Sequence, residues 1–335
     1  MPLPLPPGPA DVVCVGETMV VLAPPDGRPL AEQPSVTMAV GGAESNVACG
    51  LAGLGHRAAW LSRLGDDPFA HRVLAELTAR GVDVSGVETD PARPTGVYFK
   101  DPAPTGTRTH YYRGGSAASA MGPDLLTRTP ALRRARVVHL SGVAAALSDD
   151  CAALLEAILV DRALGRDENA PLISFDVNHR PALWRHGSPD AAKTLLTLAR
   201  AADLVFVGRD EAEALWGTAR PDDVAELLAP APLIVVKDAE HGATSYADGT
   251  RTFVPALPTE VVEPVGAGDA FAAGYLAALL EHRDERSRLR LGHVAASAAL
   301  RTRGDVPVMP TRTETDRQLG LDEAAWVNQR EHQLP

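Results

Sequence analysis

The chain has 335 residues, of which 45% are hydrophobic, and a formal net charge of −11 at pH 7. This length and composition suit one large α/β domain, alone or with a small appendage, or two ordinary domains. No block of lysine and arginine stands out, which disfavours a large nucleic-acid footprint and an anionic membrane surface as partners.

The three cysteines lie far apart, at positions 14, 49 and 151, and form no CxxC pair. They indicate neither a zinc site nor a disulfide framework and are interpreted as small buried hydrophobes. Residues 1–10, MPLPLPPGPA, lack the basic and apolar regions of a signal peptide and are predicted to be a disordered tail. No apolar run reaches the roughly 20 residues of a membrane helix, so we expect a reducing, cytoplasmic setting.

The first elements alternate between strand and helix. DVVCVG at 11–16 reads as a buried strand. GGAESNVACGLAGLG contains a helix predicted from about residue 43 to 54, ended by Gly55. AAWLSRLG reads as a strand. DPFAHRVLAELTARG reads as a helix with Asp67 as its N-cap and Pro68 at its first position.

Two segments break this alternation. Residues 18–40 read as short strands broken by PPDGRP, and residues 94–121 read as two extended arms joined by a Pro/Gly loop. Because neither segment fits a layer of sheet or helix, residues of about 18–40 and 94–113 are predicted to form a small β-lid.

The alternation then resumes. RVVHLSG, PLISFDVN, ADLVFVG and APLIVVK read as strands, followed respectively by three helices and by a hairpin with a DG turn. Two helices follow, at about 268–281 and 287–301, and the segment beyond residue 311 is polar. Such alternation predicts a mostly parallel central sheet with helices on both faces, whose ligands bind at the carboxyl ends of the strands.

EPVGAGDAFAAG, at 263–274, places a bare turn before a helix. The first amides of a helix have no internal partner and lie at the positive end of its dipole, so a turn without side chains can admit a phosphate. Gly266, Ala267 and Gly268 are therefore a candidate anion cradle, and Asp269 a candidate base for an acceptor hydroxyl. Taken alone, a GxGD sequence is more often an ordinary helix start.

This segment resembles the C-terminal signature of the PfkB (ribokinase-like) carbohydrate kinases, and GGAESNVACGLAGLG at 41–55 resembles their N-terminal sugar-binding signature. The resemblance implies a ribokinase-like fold, with a kinase domain over residues 11–310 and a C-terminal tail over 311–335. Within the family, YYRGGSAAS (111–119), SFDVNHRPALW (174–184) and RGDVP (303–307) are similar to segments of the 2-keto-3-deoxygluconate kinases. Fructokinases share the second segment.

The resemblance implies transfer of the ATP γ-phosphoryl group to the 6-hydroxyl of 2-keto-3-deoxygluconate, with Asp269 as base. Two alternatives stay open. One is a kinase for another sugar, such as fructose, ribose or 2-keto-3-deoxygalactonate. The other is a non-catalytic sugar-acid sensor on a kinase scaffold.

A sugar acid carries a carboxylate, which suits the planar fork of an arginine. Arg113 ends a lid arm and Arg180 follows a strand, so both are candidate carboxylate ligands. Tyr112 alternates with Tyr111 and should face away from the sugar. The residues that the resemblance assigns to the sugar are Gly42, Ala43, Asn46, Tyr98, Tyr111, Arg113, Arg180, Asp269 and Asp305.

The resemblance also implies an ATP site and Mg²⁺. The residues it assigns to the nucleotide are Gly208, Lys237, Gly242, Gly266, Ala267, Gly268 and His293. Gly208 replaces a side chain that reaches the nucleotide in close relatives, and Glu211 is linked indirectly to Mg²⁺. Glu263 stands where relatives usually have Asp, which leaves dependence on a monovalent cation open. Exposed lid strands pair between subunits in many relatives, so a homodimer or a higher homo-oligomer is expected.

Overall fold

The computed structural model describes residues 8–103, 106–184, 190–302 and 304–329. Residues 1–7 of the predicted disordered tail and residue 303 of the RGDVP segment lie outside the described residues. Within these ranges, none of the helices combines the length and the apolar character needed to traverse a bilayer.

The strands form one large sheet and two smaller ones. They are β1 (Val12–Val15), β2 (Met19–Ala23), β3 (Thr37–Gly41), β4 (Ala58–Leu61), β5 (Arg63–Gly65), β6 (Glu88–Asp90), β7 (Val97–Ala103), β8 (Gly106–Tyr112), β9 (Val137–Ser141), β10 (Leu172–Asp176), β11 (Leu204–Gly208), β12 (Leu233–Asp238), β13 (Gly242–Ala247) and β14 (Thr250–Pro255). The large sheet has the order β14-β13-β12-β11-β10-β9-β1-β4. All its pairs are parallel except β12–β13 and β13–β14, and the second of these is the predicted hairpin with the DG turn.

The α-helices of the described chain are α1 (Ala43–Gly53), α2 (Pro68–Ala79), α3 (Leu125–Arg128), α4 (Ala131–Arg134), α5 (Gly142–Ala145), α6 (Asp149–Leu159), α7 (Ala191–Ala201), α8 (Arg209–Trp216), α9 (Pro221–Leu228), α10 (Ala267–Leu280), α11 (Glu285–Leu300), α12 (Arg312–Leu319) and α13 (Glu323–Asn328). The predicted start of α2 is confirmed, because the Asp67 side chain accepts a hydrogen bond from the amide of Ala70 at 2.8 Å.

Helices cover both faces of the large sheet and create a core on each. One core contains residues of β9, β10 and α6, and the other contains residues of β1, β4, α1 and α10. All four residues of β1 are buried, which is why its sequence is a continuous apolar run rather than an alternating one. The predicted fold class, a mostly parallel α/β sheet between helices, is confirmed.

Helix α10 is apolar all round because neighbouring elements enclose it. Its small residues allow α11 to approach so closely that a Cβ at Gly274 would lie 2.4 Å from the carbonyl oxygen of Leu291. Such a helix is held rigidly in the core. Its first turn therefore has a fixed position at the edge of the large sheet.

A four-stranded sheet, with the order β3-β2-β7-β8, lies apart from the large sheet. Its strands fall in the two segments that were predicted to form the lid, and we call it the lid. Every residue of β8 is exposed. The lid therefore covers the rest of the domain only with the face that is turned toward the domain. The remaining two strands, β5 and β6, pair with each other; β6 was not predicted.

The C-terminal segment differs from the predicted polar tail, because it folds into α12 and α13 against the domain. Trp326 of α13 is 2% exposed, and its indole nitrogen donates to the carbonyl of Pro255 at 3.0 Å. The guanidinium of Arg290 lies 4.8 Å from the centre of the same ring. One aromatic side chain thus anchors this segment to the domain, although the polar composition of the segment does not predict such packing.

Candidate functional site

A cavity of about 660 Å³ lies between the lid and the carboxyl ends of the large sheet's strands. It is lined by all nine residues predicted to bind the sugar: Gly42, Ala43, Asn46, Tyr98, Tyr111, Arg113, Arg180, Asp269 and Asp305. Four of the residues predicted to bind the nucleotide also line it: Gly208, Lys237, Gly266 and Gly268. The topology thus brings segments from the whole chain to one place, and their binding roles stay predictions.

Asp269 lies in the first turn of α10, at the floor of the cavity. Burial raises the pKa of its carboxyl group to about 7. Its Oδ2 accepts a hydrogen bond from Nδ2 of Asn46 in α1 at 2.8 Å, which opposes the increase. A carboxyl group with this pKa can accept a proton near neutral pH and is oriented by a fixed partner.

The bare turn before Asp269 has the geometry that the motif predicted. Gly266 has a φ of 84°, in the left-handed region, and caps α10. A Cβ at this position would lie 2.4 Å from the carbonyl oxygen of Asp305, so a side chain is excluded by contact as well as by conformation. The amides at this helix start, of which that of Ala267 donates to the Pro264 carbonyl at 3.4 Å, adjoin the cavity that Gly266, Gly268 and Asp269 line.

Glu44 is a second buried carboxyl group in the cavity wall, and the sequence analysis missed it. It is 1% exposed, and burial raises its pKa to about 7. The hydroxyl of Ser141 donates to its Oε1. Its carboxyl occupies the space that a Cβ at Gly16 would need. The sequence signal that could have identified it is its position inside GGAESN, two residues before the predicted ligand Asn46.

Arg113, a candidate ligand for a carboxylate, forms an ion pair with Glu17. Glu17 is 3% exposed, and its other carboxylate oxygen accepts a hydrogen bond from Ser116. The Nε of Arg113 is buried and has no hydrogen-bond partner among the described residues. The guanidinium also lies 5.5 Å from the centre of the Tyr111 ring. Arg113 is therefore oriented by an acid that the sequence analysis did not consider, although Glu17 follows a strand directly.

The lid contacts the C-terminal loop through Asp305. Its Oδ2 accepts a hydrogen bond from the Tyr98 hydroxyl at 2.6 Å, and its Oδ1 lies 2.8 Å from Nζ of Lys100. Lys100 also reaches Oε2 of Glu263 at 3.5 Å. Both carboxylate oxygens of Asp305 thus have protein partners, and Lys100 is a cavity residue that the sequence analysis missed.

A second group of charges lies at the ends of β10 and β12 and the start of α8. Nζ of Lys237 is 2.7 Å from Oδ2 of Asp176. Burial disfavours the charge of Lys237, but Asp176 and Glu211 hold its pKa above the usual value. The carboxylate of Glu211 accepts the amides of Gly208 and His179, each at 3.0 Å. Its pKa is raised by burial and then by Asp176.

Arg180 is the most exposed of the charged residues in this group. Its side chain is 48% exposed, and Nη1 lies 3.7 Å from Oε1 of Glu211. Nearby, Asn178 is 5% exposed, and in the part of the chain that the structure describes its Oδ1 has no hydrogen-bond partner. Asp176, Asn178 and Glu211 thus supply oxygen atoms at one end of the cavity.

Three residues predicted to bind the nucleotide do not line the cavity. Nε2 of His293 donates to the carbonyl of Val254 at 3.0 Å, and its ring packs edge-on against Phe271. Gly242 begins β13 with a φ of 143°, where a Cβ would lie 2.3 Å from the Val254 carbonyl oxygen. The third, Ala267, begins α10. The structure thus gives His293 and Gly242 contacts in the fold, and their nucleotide roles stay predictions.

The sequence model of the pfkB family carbohydrate kinases matches residues 9–312. A 2-dehydro-3-deoxygluconokinase of Thermoproteus tenax is 32% identical over 313 residues, which cover 92% of this chain and 94% of that protein. The enzyme of the same name from Bacillus subtilis (strain 168) is 33% identical, with 90% and 93% covered. A probable fructokinase-4 of Arabidopsis thaliana is 30% identical, with 92% and 96% covered.

Solved structures agree with this match. The crystal structure of a PfkB protein from Polaromonas sp. JS666 has a TM-score of 0.79 and 34% sequence identity, and the match covers 92% of this chain and 99% of that one. A fructokinase from Xylella fastidiosa with bound ATP has a TM-score of 0.80 at 24% identity, with 92% and 97% covered. The second likeness concerns the fold alone.

The buried carboxyl groups should make stability depend on pH. Because the pKa of Asp269 is raised in the folded state, its contribution is fully present below its unfolded pKa of about 4 and is lost as pH rises through about 7. The free energy of unfolding should therefore fall between pH 5 and pH 8. In Asp269→Asn the fall should be smaller by about 1–2 kcal/mol, measured by urea denaturation.

The control for this measurement is Asp248→Asn. Asp248 lies in the β13–β14 turn, where its φ of 49° also suits asparagine. This variant should keep the pH dependence of the wild type. The same dependence in Asp269→Asn would contradict a proton held at Asp269.

Proposed function

The chain belongs to the pfkB family of carbohydrate kinases and is an ATP-dependent sugar kinase, and we propose that its acceptor is 2-keto-3-deoxygluconate. The product is 2-keto-3-deoxy-6-phosphogluconate. The observation that carries this proposal is the cavity that joins Asp269 and the bare Gly266 turn to a partly unsatisfied arginine, Arg113. The names of two relatives support it. A fructokinase relative keeps fructose as the alternative acceptor.

In this proposal Asp269 accepts the proton of the 6-hydroxyl as that oxygen attacks the γ-phosphorus of ATP. The bond between the γ-phosphorus and the bridging oxygen of ADP breaks, and ADP leaves. Asn46 keeps the carboxylate of Asp269 in one orientation through its 2.8 Å hydrogen bond. The amides of Gly266, Ala267 and Gly268 stabilise negative charge on the transferring phosphoryl group.

The acceptor's carboxylate is assigned to Arg113. Glu17 uses one end of the guanidinium, while the buried Nε lacks an acceptor, and a ligand carboxylate would supply one. Tyr111 borders the same space and offers its hydroxyl to the sugar. An acceptor without a carboxylate, such as fructose, leaves the Nε unsatisfied.

The nucleotide is assigned to the end of the cavity at Gly208 and Lys237, and Arg180 stays the second candidate ligand for the acceptor's carboxylate. Nζ of Lys237 lies 3.5 Å from the position that a Cβ at Gly268 would take, so this cation adjoins the turn that follows Gly266. Closure of the lid over the acceptor would exclude water, which otherwise competes for the phosphoryl group.

Mg²⁺ fits the oxygen atoms at the same end of the cavity. Asp176, Asn178 and Glu211 offer the hard donors that this ion prefers, and the buried Oδ1 of Asn178 lacks a partner within the described ranges. In the part of the chain that the structure describes, no three acidic, histidine or cysteine side chains cluster as a metal site, so water would complete the shell. When bound, Mg²⁺ neutralises charge on the phosphates.

Whether the enzyme depends on a monovalent cation stays open, because Glu263 stands where relatives usually have Asp. This carboxylate contacts Lys100 and accepts the amide of Val265 at 3.4 Å, so it fixes the turn before Gly266. Exchange of K⁺ for tetramethylammonium in the kinase assay tests the dependence, and a rate lost in tetramethylammonium would support it.

We expect the base to be sensitive to a change of one atom. Asp269→Asn should lower kcat by about 10²-fold or more, because the amide cannot accept the hydroxyl proton. In the wild type, kcat/KM for the acceptor should rise with pH around a midpoint of about 7, where Asp269 loses its proton. Asp248→Asn should match the wild type in both measurements. Equal turnover by Asp269→Asn and wild type would refute the assignment.

The acceptor is tested with a panel of 2-keto-3-deoxygluconate, 2-keto-3-deoxygalactonate, fructose and ribose, each with ATP and Mg²⁺. We expect the highest kcat/KM for 2-keto-3-deoxygluconate. Arg113→Ala should raise KM for this acceptor about tenfold, the value of one lost charge-assisted hydrogen bond, and leave KM for ATP nearly unchanged. A preference for fructose or ribose would overturn the substrate, and turnover of no acceptor would favour a sugar-acid sensor.

We also propose that the chain forms a homodimer through the lid. Tyr112 and Met38 of the lid are 64% and 45% exposed, and β8 is an unpaired edge strand of the lid within the described residues. Sedimentation velocity should therefore give about twice the 35.2 kDa mass of one chain. Tyr112→Lys, which leaves the cavity untouched, should shift the protein towards the monomer. A monomeric wild type would refute the proposal.

A further inference from the structure

Lys100 connects three segments that are distant in sequence. It lies on β7 of the lid, and its side chain is 10% exposed. Its ammonium group lies 2.8 Å from Asp305 and 3.5 Å from Glu263. These partners are 205 and 163 residues away along the chain. The lid thus has a charged contact with each of two loops from the C-terminal part of the domain.

Both loops border the turn at Gly266. Glu263 precedes the turn, and its Oε1 accepts the amide of Val265 at 3.4 Å. Asp305 comes from the other side, and its carbonyl oxygen lies 2.4 Å from the position that a Cβ of Gly266 would take. A movement of either acid would therefore displace the turn whose amides are proposed to bind the phosphoryl group.

Lys100 provides the positive charge that compensates the carboxylates of Glu263 and Asp305. Two carboxylates, those of Glu263 and Asp305, share one ammonium group, and Tyr98 contributes only a hydroxyl to Asp305. Among the residues that the structure describes, removal of the lysine would leave two carboxylates in a largely buried place with no cation in contact with both. Uncompensated buried charge is costly, and the acids would separate or recruit water.

We propose that Lys100 is a positioning residue for phosphoryl transfer, which ties the lid to both loops that flank the Gly266 turn. When the lid closes over the acceptor, Lys100 would thereby also fix the position of the amides at the Gly266 turn. The inference rests on the proposed kinase reaction. It predicts that Lys100 acts on the chemical step more than on ATP binding, because it acts on the turn through Glu263 and Asp305.

The test compares Lys100→Met, Lys100→Arg and Lys100→Ala with the wild type, using saturating acceptor and varied ATP. Lys100→Met should lower kcat at least tenfold and change KM for ATP less than threefold. Lys100→Arg should keep kcat within about threefold of the wild type, because it retains the cation. Propylammonium, which has the atoms that Lys100→Ala lacks, should restore activity to that variant, and propanol should not.

Arg108→Met is the matched control. Arg108 is an exposed cation of the same hairpin, opposite Asp101, and it does not line the cavity. Its kcat should equal that of the wild type. A kcat for Lys100→Met within twofold of the wild type would overturn the inference. So would a low kcat in Lys100→Met and Lys100→Ala that neither arginine nor propylammonium restores while both variants keep the wild-type Tm, since that would indicate packing alone. A wild type that phosphorylates no acceptor would instead remove the proposed function on which the inference rests.

Discussion

The site depends on the backbone at Gly266 more than on any single side chain. A left-handed turn with no Cβ lets the loop of Asp305 pass within contact distance, and it starts α10 where its amides adjoin the cavity. Helix α10 is immobilised by its close approach to α11, so the position of these amides is set by the core. Asp269 is in the same turn, so the proposed base and the amides proposed to bind the phosphoryl group share one rigid support.

Three cations of the cavity are each paired with an acid of the protein. Lys237 is paired with Asp176, Arg113 with Glu17, and Lys100 with Asp305. Glu44 and Asp269 each have a pKa raised to about 7 by burial, so near neutral pH neither is fully ionised. Such a site keeps its cations in fixed directions in the absence of anionic ligands. Such pairing fixes the direction of each cation but adds less to the affinity for an anionic ligand, since each cation already has a partner before the ligand binds.

Short-range signals in the sequence predicted most of the fold and much of the site. The cap at Asp67, the DG turn of β13–β14 and the buried run of β1 each depend on neighbouring residues only, which is why they could be read directly. The candidate residues of GAGD were identified from the properties of a helix start, and the family resemblance placed them in one site with those of GGAESN. Lys100 was missed because its partners are more than 160 residues away. Trp326 was missed because one buried aromatic hardly changes the average polarity of a segment.

The antiparallel pairing of β7 and β8 has a consequence for how acceptor preference can change. Tyr98 faces Tyr111 and Lys100 faces Thr109 across the hairpin, and these four side chains line the cavity, whereas Phe99 and Tyr112 meet outside it. A deletion of one residue within β7 would exchange the two faces and empty the pocket of its lid contacts. Substitutions at alternate positions leave the pairing intact. A related protein can therefore change its acceptor preference by point mutations in this hairpin, but not by changes in the length of the hairpin.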